Sequence, residues 1–114
     1  MNQATPLTTT APAASQRLHA PFQASANVRT RIKICGLTRE EDVDAAVAAG
    51  ADAVGFVLYA PSPRAVTPQR AAQLARRLPP FVTPVLLFVN ESTPNVIAAS
   101  TMIAGATVQF HGDE

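Results

Sequence analysis

The chain contains one cysteine, Cys35, in 114 residues, so no internal disulfide can form and the composition suits a reducing compartment. Charge is scarce as well. Only 15% of residues are Asp, Glu, Lys or Arg and the formal net charge is +1, which leaves no electrostatic footprint for nucleic acid or an anionic membrane. No apolar run approaches the roughly 20 residues of a membrane-spanning helix. Metal spacing is missing too, with no Cys-x-x-Cys or His-x-x-x-His to assemble the three or four ligands of a zinc site. Gly36, Gly50 and Gly55 compose neither a dinucleotide-binding fingerprint nor a phosphate-binding P-loop. What remains is a soluble, cytoplasmic globular protein of one domain or a piece of one, with 47% hydrophobic residues available for a core.

Residues 1 to 29 are rich in Ala, Thr, Ser, Pro and Gln, hold no acidic residue, and carry only Arg17 and Arg29 as fixed cations. They read as a disordered extension. Two arginines are sparse for an organelle transit peptide, and no continuous apolar stretch marks a secretory signal. From residue 30 the pattern changes to short apolar runs separated by helical segments. Strands are expected at Ile32 to Cys35, Ala53 to Leu58, Val85 to Val89 and Thr107 to His111. Between them, Arg39 to Ala49 reads as a helix with Val43, Ala46 and Val47 on one face, closed by Gly50. A second helix starts at Thr67-Pro68, turns Ala71, Leu74, Ala75 and Leu78 inward and stops at Pro79-Pro80. A third opens at Ser92-Thr93-Pro94. Alternating strands and helices imply parallel strands with right-handed crossovers, either closing into an eight-stranded barrel or staying open and doubly wound. The fourth strand has no helix after it to cover its edge, so the sequence reads as cut rather than finished.

Lys33-Ile34-Cys35-Gly36-Leu37-Thr38 stands where the first strand meets the first helix. Alternation puts Ile32 and Ile34 on one face, and Lys33 and Cys35 on the other. A parallel strand covered on both faces is apolar throughout, so a polar parity marks a face that lines a site. Thr38 and Glu41 have the T-x-x-E spacing of a capping box, which would set Cys35 just before a helix N-terminus, a setting that favours thiolate over thiol. Against catalysis, a lone cysteine is more often a small buried hydrophobe. Parallel strands bring their C-terminal ends to one rim, which gathers Cys35, the loop Pro61-Ser62-Pro63-Arg64, Asn90, and His111-Gly112-Asp113-Glu114. Arg64 has the planar fork for a carboxylate or phosphate, or is a solvated surface side chain. His111 shares the inward parity of Gln109, opposite Val108 and Phe110, and is equally a proton-transfer group or a hydrogen-bonded structural one.

Five segments in this order, Lys33 to Thr38, Gly50 to Phe56, Ser62 to Arg64, Phe88 to Asn90 and Val108 to Glu114, resemble the phosphoribosylanthranilate isomerases of tryptophan biosynthesis. The resemblance covers about Arg31 to Glu114. It implies a (β/α)8 TIM barrel, of which residues 30 to 114 are the N-terminal half with about four strands and three helices. The implied activity is an Amadori rearrangement of phosphoribosylanthranilate, an aminoaldose, to a 1-amino-1-deoxyketose, with no cofactor and no metal. Cys35 matches the base that takes the proton from C2′ of the sugar, Arg64 the arginine that engages the anthranilate, and His111 a lining position at the fourth strand end. The family's general acid, an aspartate ending the fifth strand, and its phosphate loops after the seventh and eighth strands have no counterpart in this sequence, and Asp113 belongs to the fourth-strand motif. The chain by itself is therefore expected to be inactive. The other reading is a non-catalytic half barrel that self-associates through its open sheet edges.

Overall fold

Which residues can form a strand here is decided by which can lose both faces to packing. In the computed structural model, which describes residues 28–114, the four strands are β1 (Lys33–Cys35), β2 (Ala53–Val57), β3 (Thr83–Phe88) and β4 (Thr107–Phe110), of which the inner two, β2 and β3, are mostly buried. The extension expected over residues 1 to 29 lies outside the described residues but for Val28 and Arg29. Three helices intervene, α1 (Glu40–Ala48), α2 (Pro68–Ala75) and α3 (Thr93–Thr101). Arg31–Glu114 is one compact unit.

The strands are all parallel and lie in chain order, β1-β2-β3-β4. That order decides between the two expected architectures. A doubly wound sheet reverses direction at a switch point, whereas strands that always step the same way, each by a right-handed crossover, put every helix on one face. Burial agrees: Val54 and Phe56 of β2 and Leu86 and Phe88 of β3 pack in one core with Val43 and Ala46 of α1, Ala71, Ala72 and Leu74 of α2, Ala99 of α3 and Ile103 just after it. Each of the large core side chains contributes about 1.5–3 kcal/mol by leaving water. The opposite parity, Lys33, Cys35, Gly55, Val57, Val85, Leu87 and Gln109, forms the helix-free face. Lys33 Nζ donates to Gln109 Oε1 across that face, although two strands lie between β1 and β4. The sheet is therefore curled, with its concave side carrying the polar parity.

Several local expectations need correction. β3 begins at Thr83, two residues early, because Pro84 sits near the strand start where its missing N–H interrupts little of the ladder. Regular α2 geometry ends at Ala75; single i→i+3 bonds, Arg77 N–H to Leu74 O and Leu78 N–H to Ala75 O, carry the chain on toward Pro79. Phe110 does turn to the helix face, yet it is 54% exposed, and Ile34 on the same face of β1 is 39% exposed. At the end of the sheet away from Cys35, Asp52 Oδ2 accepts the Ile32 N–H at 2.8 Å and ties β1 to β2.

Candidate active site

β1 stops at Cys35 because Gly36 turns the chain with φ +85°, a value that disfavours any side chain. The Gly36 and Leu37 amides both donate to Gly55 O, at 2.8 and 3.2 Å, and fold the β1–α1 loop over the end of β2. Cys35 is in register with Gly55. A Cβ at position 55 would stand 2.8 Å from Cys35 Sγ, so this glycine is the space that the thiol occupies. Cys35 is a free, half-buried cysteine on the concave face.

Arg64 reaches the same place from the β2–α2 loop. Its backbone N–H donates to Ser62 Oγ at 3.1 Å, and its Nη1 donates to Cys35 O at 3.1 Å. The side chain lies flat over Gly36, where a Cβ would stand 2.2 Å from Nη1 and 2.7 Å from Cζ. Gly36 thus does two jobs, turning the chain and admitting the guanidinium. Arg64 remains exposed, with most of its fork still able to meet an anion.

The loop that follows is held by a different device from the expected capping box. Arg39, not Thr38, is the N-cap of α1, and no side chain caps it; Arg39 instead pairs with Asp42 at 2.9 Å. The helix begins five residues beyond Cys35, and its first turn is filled by Glu40, Glu41 and Asp42. Its dipole is therefore met by its own acids. Thr38 contributes its carbonyl. Arg70 of α2 donates to Thr38 O at 3.2 Å and grips Glu40 with both Nη atoms, at 2.6 and 2.8 Å. The Arg70 hydrogen bonds hold the Glu40 carboxyl down at about 2. Farther along, Arg77 clamps Asp44 at 2.6 and 2.9 Å, which lowers that carboxyl as well.

On the far side of the sheet, β3 and β4 end together. His111 N–H donates to Phe88 O at 2.9 Å and extends their ladder by one residue. Asn90 then turns left-handed, with φ +52°. Its N–H and that of Gly112 donate to the Glu114 carboxylate, and the Asp113 N–H donates to Asn90 Oδ1. His111 is exposed at this corner.

The four rim segments expected from sequence thus fall into two groups. Cys35 and Arg64 are joined directly at β1–β2; Asn90 and His111 stand together at β3–β4. Three contributors were not legible beforehand: Gly55 as the thiol's space, Gln109 as the partner of Lys33, and Glu114 as the acceptor of two rim amides. Gly55 had the clearest signal, a glycine inside an apolar strand, which marks a close approach. A cavity of about 560 Å³ lies elsewhere, between α2 and α3, lined by Leu58, Val66, Phe88, Asn95, Ala99 and Met102. It is a mostly apolar groove on the helix side, without the thiol or the guanidinium. Among the described residues no cluster of three His, Cys, Asp or Glu could hold a metal ion, and no helix is long and apolar enough to cross a membrane.

Parallel strands in chain order, helices on one face and reactive side chains at the strand C-terminal ends define three successive βα units and a fourth strand of a (β/α)8 barrel. Comparison with known proteins makes this specific. Residues 32–114 match the family described as N-(5'phosphoribosyl)anthranilate (PRA) isomerase, and the chain belongs to that family. It is 67% identical over 87 residues to the N-(5'-phosphoribosyl)anthranilate isomerase of Dechloromonas aromatica, covering 76% of this chain and 42% of that protein. The Methylibium petroleiphilum protein of the same name is 69% identical over 87 residues, covering 76% and 41%. A crystal structure of phosphoribosyl anthranilate isomerase with reduced 1-(o-carboxyphenylamino)-1-deoxyribulose 5-phosphate matches with a TM-score of 0.73 at 43% identity, over 75% of this chain and 44% of that one. The chain spans about two fifths of the length of the curated relatives it matches. The family and barrel drawn from the five motifs are confirmed.

Proposed function

We propose that this chain supplies the first four strands of a phosphoribosylanthranilate isomerase, with Cys35 as the base and Arg64 as the anchor for the anthranilate carboxylate. The observation that carries the reading is the bond from the Arg64 side chain to the Cys35 backbone carbonyl at the end of β1, Arg64 lying over Gly36 with its Nη1 on Cys35 O.

The chemistry follows from that placement. Once the sugar ring has opened to a Schiff base, C2′ carries an acidified hydrogen because its electrons can flow into the C1′=N bond. The Cys35 thiolate takes that proton, a C1′=C2′ double bond forms, and the pair displaced from C1′=N is protonated on nitrogen. The enol then becomes the ketone. C1′ is reduced as C2′ is oxidised within one molecule, so the step needs no redox cofactor. The Arg64 fork suits a carboxylate on the aromatic ring and would orient the sugar toward the thiol. His111 lines the substrate at the β4 corner. The general acid and the phosphate grip belong to the barrel strands that the resemblance places after Glu114. The same reading sets the protein in the cytoplasm, where the thiol stays reduced.

The test is a chimera in which residues 32–114 of this chain replace the corresponding stretch of the Dechloromonas aromatica protein. It is expected to isomerise phosphoribosylanthranilate, while the 114-residue chain assayed alone gives no turnover. A folded chimera without activity contradicts the proposal. The second reading, self-association, is favoured by the exposure of Ile34 and Phe110 on the helix face of the two outer strands. Sedimentation of the 114-residue chain across concentrations tests it, and a monomer throughout removes it.

A further inference from the structure

The corner where β3 and β4 end is more tightly built than an exposed rim requires. Asn90 adopts a left-handed backbone although it is not glycine. That conformation turns its N–H toward Glu114 Oε2, 2.5 Å away, while the Gly112 N–H meets Glu114 Oε1 at 2.6 Å. In return, Asn90 Oδ1 accepts the Asp113 N–H at 2.9 Å. A Cβ at Gly112 would stand 2.6 Å from both Asn90 Oδ1 and Glu114 Oε1, so a side chain there would push the ring's own groups aside. Asn90, Gly112, Asp113 and Glu114 are thus tied into one closed ring of hydrogen bonds. His111 adjoins it, between the Phe88 carbonyl that its own N–H reaches and the Gly112 amide that Glu114 holds.

We propose that Glu114 is a positioning residue for substrate binding: its carboxylate clasps the Asn90 and Gly112 amides and so sets where His111 stands at the mouth of the site. The proposal rests on the assignment of His111 to the substrate. A carboxylate is the fitting group, because it presents two acceptors to two N–H donors and holds them more strongly than a neutral side chain. Its charge is kept by its surroundings. Hydrogen bonds from its own amide and from those of Asn90 and Gly112, with His111 nearby, hold the Glu114 carboxyl below the usual carboxylate range. Asp113 enters the ring through its backbone only, so the two adjacent acids have separate roles.

The test pairs kinetics of the chimera with amide exchange in the 114-residue chain. Because the clasp acts on binding and not on the proton transfer, Glu114→Ala in the chimera should raise KM about tenfold with kcat within about twofold. Glu114→Gln, which keeps one acceptor, should recover part of that loss. In a His111→Ala background the Glu114→Ala change should add nothing, since both act through one contact. In the chain, Glu114→Ala should speed exchange at the Asn90, Gly112 and His111 amides while leaving Val54 and Leu86 unchanged. Unchanged KM, an effect that adds fully to His111→Ala, or unchanged exchange at Asn90 and Gly112 overturns the proposal. If the unsubstituted chimera shows no turnover, the functional reading has failed. The clasp is then decided by exchange and by the His111 ring resonances, which must move in Glu114→Ala for the proposal to stand.

Discussion

Gly55→Ala is the sharpest perturbation of the thiol that leaves the thiol itself in place. Position 55 lies inside β2 in ordinary strand backbone, so alanine brings no penalty in φ or ψ, and the change reduces to one added methyl. That methyl would stand 2.8 Å from Cys35 Sγ, 3.2 Å from Cys35 Cα and 3.3 Å from Cys35 Cβ. Comfortable contact is about 3.5–4.0 Å, so the sulfur must retreat by roughly 1 Å, with the backbone behind it allowing only a few tenths. Cys35 is half-buried and opens onto the concave face, which lets it move aside. The stability cost therefore falls at the low end of the overpacking range, about 1 kcal/mol. Catalysis is less forgiving, because a displacement of about 1 Å at a reacting group can cost on the order of 100-fold in rate. In the chimera, Gly55→Ala should lower kcat about 100-fold while the melting temperature falls by only about 2–4 °C. A kcat within threefold of the parent would refute the claim that Gly55 is the space that aims the thiol.

Gly36→Ala acts on the other member of the pair: left-handed backbone costs an alanine about 1–2 kcal/mol, and the methyl evicts the Arg64 guanidinium from Cys35 O. KM should rise about tenfold with kcat changed less, which steady-state kinetics of the chimera will show. Acid stability is set in part by Glu40, whose carboxyl is held at about 2 by Arg70 against an ordinary value of 4.5. A depressed folded value gives stability that is complete above about 4.5 and lost as pH falls toward about 2, so Glu40→Gln should flatten that part of the unfolding profile. An unchanged slope between those pH values would show that the Arg70 grip does not couple to folding.

The alternation of Ile32, Lys33, Ile34 and Cys35 was enough to separate a helix face from a concave face, and the structure keeps that separation. Parity works because it is a property of the backbone alone. Ends were harder. Thr38 and Glu41 have capping-box spacing, yet Arg70, 32 residues from Thr38, claims the carbonyl of Thr38 and the carboxylate of Glu40. The helix starts one residue later than the motif implies, with Arg39 as its N-cap, and the loop is held by that distant guanidinium. The third strand was expected from Val85 and starts at Thr83, with Pro84 inside it. The β3–β4 corner was illegible for a similar reason: Asn90 and Glu114 are 24 residues apart, and only the parallel register brings them together. Cys35 and Arg64 were each ambiguous alone. Their meaning came from Gly36 and Gly55, two residues whose contribution is the absence of a side chain.

The most direct test is turnover of phosphoribosylanthranilate by the chimera carrying Cys35→Ala, measured beside the unsubstituted chimera. General-base catalysis contributes typically 10²–10⁴-fold, so kcat should fall by about 1,000-fold while KM stays within a few fold. A folded Cys35→Ala chimera whose kcat stays within tenfold of its parent would contradict the assignment of Cys35 as the base.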